Sequence, residues 1–303
     1  MLQIFHTAIY YTFLTIYPKI MNSYILIFFL LLSTVSGNAQ FPAIPMPKNV
    51  QKTNTIDSAN IRVLYALNPV DISNITTYDD LQRLEIGDSL SKYYSFFIYN
   101  SDSLITEWKN KYKNAKSAPG ILGVRGKQYD HWNEYHYSEY FKYFSSNTFT
   151  EYSRMPGFLQ SMNCQYTEKM PHQEWTIHAD TLAILNFYCQ KATCTFRGRE
   201  YTAWFCVDIP ISNGPWKFGG LPGLILKVYD KDHLFVFESI EIEKKEKFPI
   251  NMYQDYRNYK KKERKEVLKL QKEANKNFFK AANLNLRKGT IPPQQPHFYM
   301  ELE

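Results

Sequence analysis

The feature that most constrains the fold is a succession of short apolar segments separated by short polar turns. Three of these turns are Ala179-Asp180-Thr181, Arg197-Gly198-Arg199 and Asp230-Lys231-Asp232. Turns of this length join antiparallel strands, because parallel strands need a crossover connection of about a dozen residues or more. The strands predicted in this part of the chain are 149–154, 164–169, 174–178, 184–196, 200–209, 224–229 and 234–243.

The amino-acid composition favours the same class of fold. Tyr, Phe and Trp make up 17% of the 303 residues, and such side chains prefer half-buried pleated surfaces. The counts of 12 Gly and 15 Pro are too low for collagen-like or largely disordered chains. Further strands are predicted at 61–67, 91–100 and in the aromatic segment 130–144. We therefore predict a mainly β protein with α additions, built on one curved antiparallel meander that resembles half of a barrel.

Two helices are predicted beside the sheet. The first spans 102–116, with Ser101 or Ser103 as its N-cap and lysines in its last turn. The second is a basic helix over 253–288, which carries 12 basic and four acidic residues in an otherwise neutral chain. Its lysine-rich face at 257–280 predicts contact with an acidic partner or a membrane surface. Nucleic acid is not expected, because the chain carries an export signal.

The predicted export signal is residues 1–39. The apolar run 24–32 is too short to span a bilayer and suits a signal-peptide core, and small residues precede a cleavage site after Ala39. Pro18 and Lys19 interrupt any continuous span, which argues against the alternative of a membrane anchor, and Met21 is an alternative start. The mature chain is expected in the periplasm or outside the cell, soluble, with a Pro-rich lead at 40–60 and a single domain at 61–303.

Cysteines in an exported chain permit disulfides. If the turn is Gly198-Arg199, Cys206 lies opposite Lys191 and diagonal to Cys189, about 7 to 8 Å away, which is too far for an unstrained bridge. Cys189 and Cys194 point to opposite faces of one strand. The prediction that remains is a bridge from Cys164 to either Cys189 or Cys206.

One cluster contains residue types that bind metals, namely His131, Glu134 and His136. The two histidines are five residues apart, which places them on opposite faces of a strand and outside the useful spacing on a helix. An ordinary aromatic strand surface is therefore the favoured interpretation. A metal-dependent hydrolase that uses these three residues is retained as the alternative function.

The strongest local motif follows the predicted strand 200–209. Pro222 and Gly223 fit the central positions of a type II turn, with Gly223 at positive φ, and Gly219 with Gly220 permits close backbone approach. Leu224, Leu226 and Val228 are then expected to face the core. The motif residues, whose role is expected to be structural, are Pro215, Gly219, Gly220, Leu221, Pro222, Gly223, Leu224 and Ile225.

At residues 220–225 the sequence reads Gly-Leu-Pro-Gly-Leu-Ile and closely resembles the GLPGLI family of exported Bacteroidetes proteins. The resemblance extends upstream through 188–192, 196–199, 202–205 and 211–215. It implies an envelope location and a β-rich fold, and it carries over no catalytic residue and no cofactor. The predicted function is a non-enzymatic binding or accessory protein of the envelope, which uses its curved sheet to bind an apolar ligand or a partner protein.

Overall fold

In a computed structural model of the chain, the structure describes residues 44–127, 132–276 and 297–303. The described residues form one twelve-stranded sheet. Its strands are β1 (Thr53–Leu67), β2 (Asp80–Gly87), β3 (Leu90–Ser95), β4 (Ser138–Tyr143), β5 (Thr148–Ser153), β6 (Cys164–Lys169), β7 (Thr176–Ile184), β8 (Phe187–Phe196), β9 (Arg199–Cys206), β10 (Leu224–Asp230), β11 (Val236–Tyr253) and β12 (Lys260–Lys261). The predicted mainly β class is confirmed.

The strand order shows two antiparallel meanders joined in the middle. It runs β12-β6-β5-β4-β3-β2-β1-β11-β10-β9-β8-β7, so β1 and β11 are the strands that connect the two halves. β12 is the exception to the antiparallel rule, because it pairs in parallel with β6. The sheet ends in two edges instead of closing on itself, which confirms the predicted open antiparallel sheet.

The connection between β6 and β7 requires the sheet to curve. These strands follow each other in sequence, from Lys169 to Thr176, yet lie in different halves near opposite ends of the sheet. Seven residues span at most about 25 Å, whereas the ten inter-strand spacings of a flat sheet would separate them by about 48 Å. The halves therefore approach each other, and Arg197 at the β8–β9 turn donates to Glu168 on β6 over 2.7 Å.

Aromatic side chains fill the core between the two halves. Tyr65, Tyr93, Tyr140 and Phe149 follow one another with ring centroids about 6 Å apart, and Phe218 packs among Trp216, Tyr201 and Phe237. All of these side chains are buried. The high aromatic content of the sequence thus supplies the bulk of a core that a sheet folded towards itself must fill.

Helix α1 (Phe96–Lys111) begins six residues before the predicted start. Ser95, at the end of β3, is its N-cap, because the Ser95 hydroxyl accepts the Ile98 N–H over 3.1 Å. The predicted N-cap Ser101 instead lies inside the helix, where its hydroxyl accepts the Leu122 N–H. The predicted strand 91–100 is therefore correct for 91–95 and wrong for 96–100, and both predicted caps are wrong, since the chain becomes helical directly after Ser95.

A single helical turn, α2 (Glu134–Tyr137), precedes β4. It occupies part of the segment 130–144 that the sequence predicts as strand, and residues 130 and 131 lie outside the described residues. Asn133 caps the turn, because its side chain accepts the His136 N–H over 2.9 Å.

The basic helix α3 (Arg264–Lys276) is shorter at its start than predicted. Tyr256 and Tyr259 are buried in a cluster with Tyr152, whose ring lies 4.2 Å from that of Tyr256. The packing of these tyrosines accompanies a 3-10 turn at Gln254–Asn258. Residues 260 and 261, which follow it, pair with β6. The prediction of one helix from 253 is wrong for 253–263, and residues 277–288 lie outside the described part.

Two turns differ from the expected ones. Ala179-Asp180-Thr181 lies within β7, and the chain reverses at Leu185 and Asn186, which both have positive φ. The β8–β9 turn consists of Arg197 and Gly198, with φ of 50° and 81°, so Phe196 pairs with Arg199. Two consecutive residues at positive φ match the right-handed twist of the flanking strands. No helix among the described residues is long and apolar enough to cross a membrane.

Candidate functional site

The motif segment forms the connection between β9 and β10, residues 207–223, and the start of β10. Leu221, Leu224 and Ile225 are buried in the main core. The Ile225 N–H donates to the Asn213 carbonyl over 3.0 Å, and the Ile225 carbonyl accepts the Tyr65 hydroxyl over 2.7 Å. The connection is therefore part of the core between the two halves of the sheet. Pro215 is also buried, and its carbonyl accepts the Phe218 N–H.

The two key glycines of the motif exchange the roles that the sequence predicts for them. Gly220 has a φ of 79°, whereas Gly223 is not among the residues with positive φ, so the predicted type II geometry at Gly223 is wrong. A Cβ on Gly223 would lie 2.1 Å from the Cys206 carbonyl oxygen, whereas one on Gly220 would meet nothing closer than 3.9 Å. Gly223 is needed because β9 and the start of β10 approach closely, and Gly220 because of its backbone angle.

Lys142 on β4 binds the motif segment from the opposite half of the sheet. Its Nζ donates to Asn213 Oδ1, to the Gly214 carbonyl and to the Phe218 carbonyl, over 2.8, 3.1 and 2.5 Å. Burial lowers the pKa of Lys142 to about 7. Three neutral acceptors match the three donors of an ammonium group, so this lysine acts as a structural clamp.

Lys217 lies at the centre of a buried charge cluster. Its side chain is 0% exposed, and its Nζ pairs with Glu301 in the C-terminal segment and with Glu168 on β6 at 3.1 Å. Arg264 of α3 also pairs with Glu301. Arg197 completes the cluster through Glu168 at 2.7 Å. The cluster connects the motif segment, β6, the β8–β9 turn, α3 and the C-terminal segment.

Strand β7 forms one outer edge of the described sheet. β7 pairs with β8 on one side, and no described strand pairs with its other side. Every side chain from Thr176 to Ala183 is exposed, except that of His178, which is half-buried. The edge lacks the lysines and prolines that commonly prevent edge strands from pairing with other chains. Its one interruption is a register shift between Ile177 and Thr181.

Several exposed apolar side chains lie on or near this edge. Ile177 is 47% exposed and Tyr188, at the start of β8, is 76% exposed. Leu182, Leu185 and Val207 are also exposed. We call β7 together with these five apolar residues the β7 edge. Exposed apolar groups beside unpaired backbone are typical of a surface that binds another polypeptide.

The predicted metal-binding residues are engaged with other protein groups where the structure describes them. Glu134 pairs with His297 at 3.1 Å and accepts from Asn275 at 2.8 Å. Both ring nitrogens of His136 have partners, Asn133 Nδ2 and the Asp79 carbonyl, each at 3.0 Å. His131 lies outside the described residues. Among the residues that the structure does describe, no three metal-binding side chains form a cluster, so nothing supports the hydrolase alternative.

All four cysteines are buried free thiols, so the structure does not show the predicted bridge from Cys164 to Cys189 or Cys206. Cys164 is opposite Ser153 on β5 and Cys194 is opposite Tyr201 on β9. Burial raises the pKa of Cys164 and Cys194 to about 12. Neither residue therefore has the low pKa of a reactive cysteine.

Three pockets on the described surface have volumes of about 430, 300 and 480 Å³. The first contains Lys48, whose Nζ lies 2.7 Å from Asp255 and about 4.5 Å from the ring centres of Tyr253 and Tyr256. The second lies against α3 and the C-terminal segment, and the third over β8 and β9. All three are open and carry charged side chains, which makes them poor sites for a purely apolar ligand.

Several of these features were not predicted from the sequence. The burial of Lys217 could have been predicted from its neighbours, because it stands between Trp216 and Phe218 in an otherwise apolar stretch. A lysine buried in such a stretch needs hydrogen-bond or ion-pair partners. Lys142 had no comparable signal, because its three acceptors lie more than 70 residues away. The β7 edge was missed because Asp180 was interpreted as part of a turn.

Comparison with known proteins gives limited matches. A family described as protein of unknown function (Porph_ging) matches residues 195–227, a short stretch that contains the Gly220–Ile225 motif. This match does not establish membership of the GLPGLI family, which remains a prediction. No curated protein matches the chain.

Among solved structures, the chain is similar to PNGF-II in its P21 and C2 crystal forms. The TM-scores are 0.44 and 0.46 at 13% sequence identity, with coverage of 71% and 73% of this chain. The match covers 33% and 34% of PNGF-II, so the chain spans about a third of the length of that protein. A likeness at this level carries no information about activity.

Proposed function

We propose that the protein is a non-enzymatic binding protein that holds an extended segment of a partner polypeptide against the β7 edge. The observation that supports this is β7 itself, a nine-residue strand at the edge of the sheet with exposed side chains on both faces. The backbone of an added strand would bond to the free N–H and C=O groups of β7, and this supplies affinity without a preformed cavity.

The side chains beside β7 would supply the specificity. Leu182 lies on β7 opposite Cys189, and Tyr188 lies on β8 opposite Ala183. An added strand would place alternate side chains on the two faces of the sheet, next to these groups. The proposed partner segment therefore alternates apolar and polar residues.

A partner protein is favoured over an apolar ligand by the state of the core. The space between the halves of the sheet is filled by aromatic rings and by Lys217 with its carboxylate partners. A lipid carrier requires an apolar cavity large enough to enclose an acyl chain. The β7 edge, by contrast, carries five exposed apolar side chains.

Selection of random peptides displayed on phage against the immobilised protein would test this function. We expect the enriched peptides to alternate apolar and polar residues. Their affinity should fall at least tenfold for the variant Ile177→Lys/Leu182→Lys, because lysines on an edge strand oppose strand addition.

The matched control is Val70→Lys, which changes a residue that is 78% exposed and lies outside every strand. This variant should bind the selected peptides as the wild type does. Circular dichroism and melting temperature would establish that all variants are folded. Failure to enrich any peptide family, or equal binding to the double-lysine variant, would contradict the proposed function.

We also propose that the protein acts outside the cytoplasm. The support is the sequence alone: the apolar run 24–32 followed by Gly37 and Ala39, which together have the form of a secretory signal. N-terminal sequencing of the protein from its own cells tests this. A mature N-terminus at Gln40 is expected, and an intact Met1 or Met21 terminus would contradict it.

A further inference from the structure

The register of β8 and β9 brings two cysteines face to face. Gln190 pairs with Phe205 and Lys191 with Trp204, so Cys189 and Cys206 are the next opposed pair. The expectation that Cys206 lies opposite Lys191 is wrong by two residues, because the turn is Arg197-Gly198. Directly opposed residues of an antiparallel pair have Cα atoms about 4.5 to 5.5 Å apart, within the range that a disulfide spans.

The two thiols are also close enough to influence each other's ionisation. Both cysteines are 0% exposed. Burial raises the pKa of Cys189 to about 12, and the neighbouring Cys206 thiol contributes through its charge and through a hydrogen bond. The backbone register and the influence of Cys206 on the Cys189 thiol thus point to the same pair.

The pair lies in a row of residues that crosses four strands. Leu182 on β7 is opposite Cys189, and Cys206 is opposite Leu224 on β10. Gly223, just before Leu224, packs directly on the Cys206 carbonyl. A disulfide between Cys189 and Cys206 would join β8, which pairs with β7, to β9, which pairs with the motif strand β10.

We propose that Cys189 and Cys206 form a cross-strand disulfide when the chain folds in an oxidising compartment. A bond forms between the two Sγ atoms, and the two S–H bonds break. Two protons leave, and two electrons reduce the disulfide of a thiol–disulfide oxidoreductase, or of oxidised glutathione in a test tube. The free-thiol structure is the reduced form of this pair.

The bridge forms before β8 and β9 are fully packed. Only the thiolate attacks a disulfide, and the pKa of Cys189 near 12 in the folded protein leaves few thiolates at neutral pH. In the unfolded chain both thiols have their ordinary pKa and are accessible to the oxidant. Cys164 and Cys194 face residues other than cysteine and stay reduced. This proposal does not depend on what binds at the β7 edge.

The test begins with the full-length reduced and denatured protein. It is refolded in a mixture of oxidised and reduced glutathione, denatured without reductant and alkylated. We expect alkylation of Cys164 and Cys194 only. Trypsin should release a linked pair of peptides, since Lys191, Arg197 and Arg199 lie between the two bridged residues.

Variants assign the pairing. Cys189→Ser and Cys206→Ser should each leave three thiols open to alkylation, whereas Cys164→Ser and Cys194→Ser should keep the linked peptides. The melting temperatures of the oxidised and the reduced wild-type protein can be compared without any variant. The oxidised protein should melt on the order of 5 °C higher. Four alkylated cysteines in the refolded wild type, or a linked peptide that contains Cys164, would overturn the proposal.

Discussion

His136 shows how the neighbours of one buried side chain determine its chemistry. The Asn133 side-chain oxygen accepts the His136 N–H, so its amide nitrogen must face the ring at Nδ1. The other ring nitrogen, Nε2, faces the Asp79 carbonyl. A neutral imidazole with its proton on Nε2 satisfies both contacts, whereas a second proton on Nδ1 would point at the Asn133 amide hydrogens.

This arrangement predicts acid sensitivity. Burial lowers the pKa of His136 from 6.5 to about 4. Between these pH values the unfolded chain binds a proton that the folded chain does not, so stability is lost as the pH falls from 6.5 towards 4. The loss attributable to His136 is about 3 kcal/mol at most.

Urea unfolding at several pH values between 7 and 4.5 measures this loss. The comparison variant is His136→Gln, which is expected to be less stable at pH 7 and to lose less stability on acidification. Parallel pH profiles for the two proteins would show that another group is responsible.

At the scale of secondary-structure elements, the turn between β8 and β9 shows how a small change in geometry alters pairing. Arg197 and Gly198 both adopt positive φ, which makes a two-residue turn. A turn placed one residue later shifts every pair by two positions. The hairpin itself was predicted correctly from the short polar turn at 197–199 between two apolar segments, whereas its register depends on which two residues adopt positive φ.

The contact between β9 and β10 leads to a prediction for the two motif glycines. Gly223→Ala should lower the free energy of unfolding by about 2 kcal/mol or more, because its Cβ would overlap the Cys206 carbonyl and force backbone movement. Gly220→Ala should cost about 1 kcal/mol, since it has space but keeps an unfavourable φ.

Chemical denaturation of the two single variants gives the order of their effects. Gly219→Ala is the matched control, because its added Cβ would meet only an ordinary contact at 3.6 Å. If Gly220→Ala destabilised the protein more than Gly223→Ala, the backbone angle would matter more than the close approach of the strands.

At the scale of the whole molecule, the charge cluster around Lys217 connects segments that are far apart in sequence. Glu301 in the C-terminal segment contacts Lys217 and Arg264, and Glu168 on β6 contacts Lys217 and Arg197. Three cations therefore share two carboxylates in a largely buried space. Removal of an anion leaves uncompensated buried positive charge, whereas removal of Lys217 balances the cluster.

We therefore expect Glu301→Gln to lower the free energy of unfolding by about 3 kcal/mol, and Lys217→Met to lower it by less. The double variant should be more stable than the sum of the single effects predicts, because the uncompensated ammonium group is gone. Urea denaturation of the four proteins forms the complete cycle. Strictly additive effects would show that the two side chains do not interact.

The sequence by itself determined where most strands lie and that they pair antiparallel. The predicted strand 164–169 coincides with β6, and 224–229 differs from β10 by one residue. Such segments are set by alternation, turn residues and β-branched or aromatic content, all of which act between neighbours in the chain. The start of α1 was missed because Ser95 and Ser101 are equally good caps by residue type, and only the path of β3 selects between them.

Only the tertiary structure decided how the two meanders join through β1 and β11, which residues clamp the motif, and which glycine needs its backbone angle. The physical reason for the first two is that they depend on contacts between residues 71 to 200 positions apart. A buried lysine is stable only if carbonyl or carboxylate groups from distant parts of the chain bond to its ammonium group. The residues next to the lysine in sequence do not determine whether such groups are present. The same holds for β7, which is an edge because no other described strand reaches it.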